Sequence, residues 1–320
     1  MAGTNDSANA FISILSKPQM EGTVITKLVV VILLIVFSIY VNCIMLFALR
    51  SKPVFNVSPR YILFAHMLYN DSIHLSLTTL MYALALAFIK LAKSVCSLIM
   101  YLSATTFSNA PLNLAVMSLE RYVAICYPLR HAEIATQKRT YIAIVLIWFF
   151  GSVCILTDII VAAVEDPNFL YMQMFCSHEQ ILIKPWQVSL FNAFNVLYFV
   201  TVTMIIVFTY IRILITARSV SSKKDSAKKA HRTVLLHLIQ LGLCLSSFVY
   251  GSIERALYTL TSNNIVLFTN LRYMNFLIIL ILPRCLSPLI YGLRDDAVSP
   301  LFKYYFCFGT RRTVHKGENI

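Results

Sequence analysis

The chain has 320 residues, 58% of them hydrophobic and only 13% charged, with a mean hydropathy of +0.74 and a formal net charge of +13. Soluble domains carry about 25% charged residues, and a chain of this length cannot build a core large enough to bury so much apolar surface. A water-soluble globular protein is excluded; the composition is that of a polytopic membrane protein.

Residues 1–25 form a polar outer tail that carries the sequon Asn5-Asp6-Ser7, a glycosylation candidate. No basic segment followed by a long apolar core opens the chain, so no cleaved signal peptide is expected, and the first span is expected to serve as its own signal anchor. Residues 28–49, LVVVILLIVFSIYVNCIMLFAL, contain no charge, and residues 94–119 are charge-free between Lys93 and Glu120. About 20 apolar residues suffice to cross the hydrocarbon layer as a helix. The runs predict seven spans at 26–49, 60–89, 94–126, 139–164, 187–216, 233–260 and 266–292. The fold class is therefore an all-α membrane protein, a seven-transmembrane helix bundle over 26–292. Residues 293–320 form a cytoplasmic tail. In it Leu301, Phe302, Tyr305 and Phe306 recur at helical spacing beside Lys303, the pattern of a short amphipathic helix on the inner leaflet. A disordered tail is the alternative. Cys307 is a palmitoylation candidate.

Loops 50–60, 121–139 and 212–232 and the tail after 293 hold nineteen of the twenty-seven lysines and arginines, whereas the opposite face holds five. Positive residues stay inside, so the N-terminus is expected outside and the C-terminus in the cytoplasm. The net charge thus reads as a topology signal; no stacking platform or groove-reading motif points to nucleic acid. Of the eight cysteines, only Cys96 and Cys176 fall in outer segments and share an oxidising compartment, so a Cys96–Cys176 disulfide is expected. Two free thiols are the alternative.

Charged groups inside spans are costly and mark function. Asp71 lies mid-span in HMLYNDSIHLSL and Arg284 in LPRCLSPLIY. In the seventh span Arg284, Ser287, Pro288 and Tyr291 share one helical stripe, and Pro288 frees a backbone carbonyl one turn back. Arg284 faces either Asp71 or a water-filled cavity; the penalty on an unpaired buried charge favours the pair. A second polar group, Asp158, Glu254, Arg255 and Arg272, falls in the outer half. It either converges on a ligand cavity or, for the two arginines, snorkels to the interface. The seven histidines show no metal-ligand spacing, and no nucleophile elbow or phosphate loop is present. Neither an enzyme nor a bound cofactor or metal is expected.

The order of these features resembles the rhodopsin-like (class A) G-protein-coupled receptors. Asn42 matches that family's first-span asparagine, Asp71 its second-span acid, Trp148 its fourth-span tryptophan, and Glu120-Arg121-Tyr122 and Ser287-Pro288-Leu289-Ile290-Tyr291 its third- and seventh-span signatures. Cys96 precedes Arg121 by the family's usual separation. MSLERYVAICYPLRH is similar to the olfactory receptors' MAYDRYVAICxPLxY, Val249-Tyr250-Gly251 to their FYG, PLIYGLRD to their PxIYSLRN, and Lys229-Ala230 with Thr233 and His237 to their KAFSTCxSH. Glu120 in place of aspartate, Ser287 in place of asparagine, the unexpected Arg284 and a single cysteine in the loop 165–186 are closer to the divergent odorant receptors of fish. A retinal-binding branch is argued against by the absence of lysine between Asn264 and Arg294, and an aminergic one by the absence of an acid between Cys96 and Glu120.

The resemblance implies an odorant receptor of the plasma membrane. It would bind a small-molecule odorant in an outer cavity and activate a heterotrimeric G protein of stimulatory type at its cytoplasmic face. It assigns Glu120, Arg121, Tyr122, Tyr210, Pro288 and Tyr291 to the activation switch and Asn42 and Asp71 to an intramembrane polar core, which the buried-charge argument extends to Arg284 and the shared helical stripe to Ser287. Cavity candidates are Ser103, Ala104, Phe107 and Ser108 in the third span, and Asn195 and Tyr198 in the fifth. Tyr250, Ile253 and Glu254 in the sixth, and Tyr273 and Leu277 in the seventh, complete the set. Glu254 beside Arg255 would also suit a zwitterion. The alternatives are a class A receptor for a non-odorant endogenous ligand, a transporter or channel, for which the chain lacks the internal repeat, and, for Glu120-Arg121, a simple interfacial ion pair.

Overall fold

The computed structural model describes residues 22–87, 89–220, 242–243, 246, 249–261, 264–295 and 297–306. Asn5, Cys307 and much of the predicted sixth span lie outside these residues, as do the side chains of Tyr291 and Arg255.

The first span is α1 (Gly22–Arg50). In hydrocarbon every backbone polar group must be satisfied within the segment, so an apolar run of this length becomes a helix. Two prolines then punctuate the chain: Pro53 opens α2 (Pro53–Val57) and Pro59 opens α3 (Pro59–Leu86), each at a first-turn position where its missing N–H costs nothing. α4 (Lys93–Cys126) runs unbroken through Pro111. The short helix α5 (His131–Ile134) lies in the following loop, and α6 (Gln137–Glu165) starts where the Thr136 hydroxyl accepts the Arg139 N–H. α7 (Pro185–Val220) is the fifth span, and α8 (Tyr250–Leu260) the longest described stretch of the sixth.

The seventh span begins as α9 (Ile265–Asn275), capped by the Asn264 side chain accepting from Leu267 N–H at 3.0 Å. It continues through a π-helical segment (Phe276–Ile281) into α10 (Leu282–Arg294), which contains Pro288. Pro283 accounts for the π turns. It cannot donate to the Ile279 carbonyl, and its ring pushes that carbonyl away, so the helix widens there. α11 (Ser299–Phe306) follows.

α4 is the centre of the bundle and packs against α3, α6 and α7. Its contact with α6 is close because Gly151 has no side chain: a Cβ there would run into the Asn109 amide and come within 3.4 Å of the Thr105 carbonyl. The outward faces are apolar, with Leu33 63% and Met204 67% exposed, while Asn42, Asn70, Asp71, His74, Asn109 and Asn113 are buried. That inversion of soluble-protein burial is what a bilayer requires. Among the described residues, four helices are long and apolar enough to cross a membrane. α3 and α4 have the length, but they carry the polar side chains that face inward.

The loop between α6 and α7 is strapped to the top of α4. Cys96 and Cys176 are disulfide-bonded across 80 residues. Strands β1 (Leu91–Ala92) and β2 (Gln173–Met174) pair antiparallel, and Lys93 Nζ lies 2.7 Å from Asp166 Oδ2. The Lys93 ammonium, with the Asn168 backbone N–H, holds the Asp166 carboxyl below the usual carboxylate range. A depressed carboxyl contributes its stabilisation above the ordinary pKa of 3.8 and loses it as pH falls through the lower folded value. Amide protection at 168–172, corrected for intrinsic exchange, is therefore expected to stay flat from neutral pH to about pH 4 and to fall below it. Asp166→Asn removes that acid-dependent step. Loss of protection already between pH 7 and 5 would contradict the assignment.

Candidate functional site

Three polar groupings are stacked along the bundle. The middle one is built on α3, α4 and α10. Arg284 Nη1 donates to Asp71 Oδ1 at 2.8 Å, with side chains only 7% and 4% exposed, and the guanidinium sits 5.7 Å from the centre of the Phe107 ring. One arginine thus bridges the second, third and seventh spans. Asn42 is buried beside this pair and donates to Ser72 Oγ at 3.0 Å. Ser287 instead turns back on its own helix and donates to the Pro283 carbonyl at 2.9 Å.

His66 and His74, which show no ligand spacing in the sequence, both face α4. His74 Nδ1 lies 3.2 Å from the Ser103 carbonyl and its ring is 5.9 Å from Phe107. Trp148 donates its indole N–H to His66 Nε2 at 2.9 Å, which leaves the proton on Nδ1, 3.1 Å from Asn113 Oδ1. Asn70 donates to the Thr106 carbonyl at 2.7 Å. The signal was available: His66, Asn70 and His74 recur at i, i+4 and i+8, one face of a helix. Each interhelical bond of this kind contributes about 0.6 kcal/mol.

The second grouping lies where α4 ends. Glu120 Oε2 is 3.5 Å from Arg121 Nε, and Glu120 Oε1 is 3.3 Å from His131 Nε2 on α5. The His131 contact is one that sequence reading did not anticipate. Tyr122 donates to the Tyr127 hydroxyl at 3.3 Å and packs edge-on to Phe208, on the same helix as half-buried Tyr210. Nearby, Arg60 pairs with buried Asp295. Asp295 also accepts from Tyr61 Oη and from the Ala297 and Val298 N–H groups at the start of α11. α11 then docks along α1, with Phe302 buried and Tyr305 packed 4.9 Å from Phe47.

The third grouping lies at the disulfide end, and here the outer polar group expected from the sequence separates. Asp158, grouped with Glu254 in the sequence, is fully buried elsewhere: its oxygens accept from Gln187 Nε2 at 2.9 Å and face His178 Nε2 at 2.9 Å, anchoring the second half of the loop between α6 and α7. Glu254 pairs with Arg272, Oε1 to Nε at 2.6 Å. Tyr250, one turn before Glu254, lies within hydrogen-bonding reach of both.

The other cavity candidates divide. Phe107 joins the arginine core, Ser103 is buried with its carbonyl on His74, and Ala104 packs under the disulfide. Tyr198 is committed to α6, donating to the Phe150 carbonyl. Tyr273 donates to the Lys27 carbonyl at 3.3 Å, Leu277 packs beside Ile281, and Ser108, Asn195 and Ile253 are half-buried on α4, α7 and α8.

A polar-cored helical bundle with a disulfide at one end and an acid–arginine pair at the other defines a class. Residues 41–291 match the model of the 7 transmembrane receptor (rhodopsin family), and the chain belongs to that family. It is a multi-pass membrane receptor rather than an enzyme. It is 36% identical to Odorant receptor 131-2 of Danio rerio over 317 residues, covering 96% of this chain and 92% of that one. It is also 26% identical to the human Olfactory receptor 2T5, over 77% of this chain and 78% of that one, and 28% identical to the human Olfactory receptor 51T1, over 58% and 57%.

Proposed function

We propose that this chain is an odorant receptor that binds a small molecule among the outer halves of its spans and activates a heterotrimeric G protein of stimulatory type at its cytoplasmic face. The observation that carries the reading is the near-full-length similarity to an odorant receptor. In this reading residues 1–25, with a glycan on Asn5, lie outside the plasma membrane, 26–292 form the receptor body, and 293–320 are cytoplasmic. α11 then rests on inner-leaflet lipid, with Cys307 acylated beside it.

The switch follows from the charge arrangement at the end of α4. In the resting bundle Glu120, held also by His131, neutralises Arg121. An agonist shifts the equilibrium only by its differential affinity for the two bundle states. When the open state wins, Arg121 is released to the G protein, and Tyr210 and Tyr291, matched to the family's tyrosines, stabilise that state. The coupling between the two sites is about 1–3 kcal/mol and acts in both directions.

Arg121→Ala is expected to reach the cell surface and to lose the agonist-evoked cAMP rise. An odorant response that survives this substitution counts against the coupling role. A receptor for a non-odorant endogenous ligand is the second reading; transcripts confined to tissues outside the olfactory epithelium favour it.

A further inference from the structure

Two intramembrane ion pairs of this chain differ in access. The Asp71–Arg284 pair is sealed, whereas the Arg272 and Glu254 side chains keep 37% and 24% of their surface open. The open pair joins the sixth span, through α8, to the seventh, through α9. We propose that the Glu254–Arg272 pair is the polar anchor of the ligand site and selects zwitterions of the amino-acid type, with a carboxylate and an ammonium on an apolar body. The inference rests on the receptor reading above and adds the ligand class to it.

The argument is one of charge balance. A carboxylate taken by Arg272 draws it from Glu254, and an ammonium taken by Glu254 draws that carboxylate from Arg272; either one alone breaks the resting ion pair without replacing the charge it removes. A neutral odorant can offer either group a hydrogen bond but no opposite charge. A zwitterion exchanges one internal pair for two: its carboxylate accepts from the Arg272 guanidinium, a fork suited to bidentate contact, and its ammonium donates to Glu254. Tyr250, within reach of both partners, bridges the opened pair. The apolar body meets aromatic surface, since Tyr82 stacks on Phe276 with ring centres 5.8 Å apart. Excess positive charge nearby favours the carboxylate end: Lys27 Nζ lies 5.4 Å over the Tyr273 ring, held by Asn270. Entry of the ligand between Glu254 and Arg272 parts α8 from α9, which is a contact difference between the resting and opened bundle.

The test uses the full-length receptor in cells with a cAMP readout and matched probes that share one apolar body: phenylalanine, phenethylamine and 3-phenylpropanoate, beside the other amino acids with their amines and acids, and a panel of neutral odorants. Zwitterions are expected to activate wild type at concentrations at least about tenfold lower than either singly charged analogue, the scale of one charge-assisted hydrogen bond. Glu254→Gln is expected to shift preference to the acids and Arg272→Gln to the amines. Glu254→Gln/Arg272→Gln, which strands no charge, is expected to reach the surface and lose the zwitterion preference, and it decides the matter if a single variant does not. Activation by neutral odorants, unaltered in the double variant, overturns the inference and leaves the receptor reading intact. No Arg121-dependent response to any of the probes overturns both.

Discussion

Arg284→Leu is expected to reach the cell surface at a small fraction of the wild-type level, and Asp71→Asn to be similarly impaired, while the double variant recovers much of the loss. The pair is buried in the middle of the bundle at 2.8 Å. Removing one member leaves the other desolvated and without its partner, at about 3–5 kcal/mol, whereas removing both exchanges the pair for less polar packing and can be nearly neutral. Arg284→Leu also loses the guanidinium's contact with the Phe107 ring, worth about 0.5–2 kcal/mol. Against that, Asp71→Asn leaves a guanidinium that cannot lose its charge, whereas the carboxyl left by Arg284→Leu can take up a proton, so the two single variants are expected to be comparably impaired. Surface staining and thermal denaturation of the solubilised receptor read the effect. The expected signature is a coupling of about 3 kcal/mol between the two positions, the lower end of the cost of breaking a buried pair; strictly additive losses would show that the two side chains do not act as a pair.

Cys96→Ser, Cys176→Ser and the double serine variant are expected to be equally impaired. One covalent bond is shared, so the second substitution has nothing further to remove. Closing a loop across a separation of 80 residues stabilises by about 4.5 kcal/mol on the chain-entropy model, within the roughly 2–5 kcal/mol typical of native disulfides. The loop is not released completely, because the β1–β2 pairing, the Lys93–Asp166 pair and the Asp158 anchor remain. Reducing agent should lower the melting temperature of the wild type to that of the variants and leave the variants unchanged. A wild type insensitive to reductant, with single losses that add, would show that the two cysteines act separately.

Much of this architecture is legible in the amino-acid order. Run length alone marks α1, α6, α7 and the seventh span, because the thickness of a bilayer is a property of the solvent and not of the fold. The Cys96–Cys176 bond follows from counting thiols in the outer compartment, and the Asp71–Arg284 pair follows from the cost of leaving either charge alone in hydrocarbon. The expected short helix after the seventh span appears as α11, one turn after Asp295, whose part in anchoring it to Arg60 was not foreseen.

What the sequence determined by itself is therefore which segments leave water and which groups must find a partner. The tertiary structure decided which partner each one found. Glu254 lies eighteen residues from Arg272 in the chain, and the packing of α8 against α9 brings the two side chains together. Asp158 turns to the loop between α6 and α7, Tyr198 to the Phe150 carbonyl and His66 to Trp148, again through the packing of the bundle. Pro283, inconspicuous in the sequence, imposes the π turns that re-phase α10 below them. Solvation cost is written residue by residue, whereas the rotation and offset of one helix against the next come from the packing of the whole bundle, and those rotations choose the pairs.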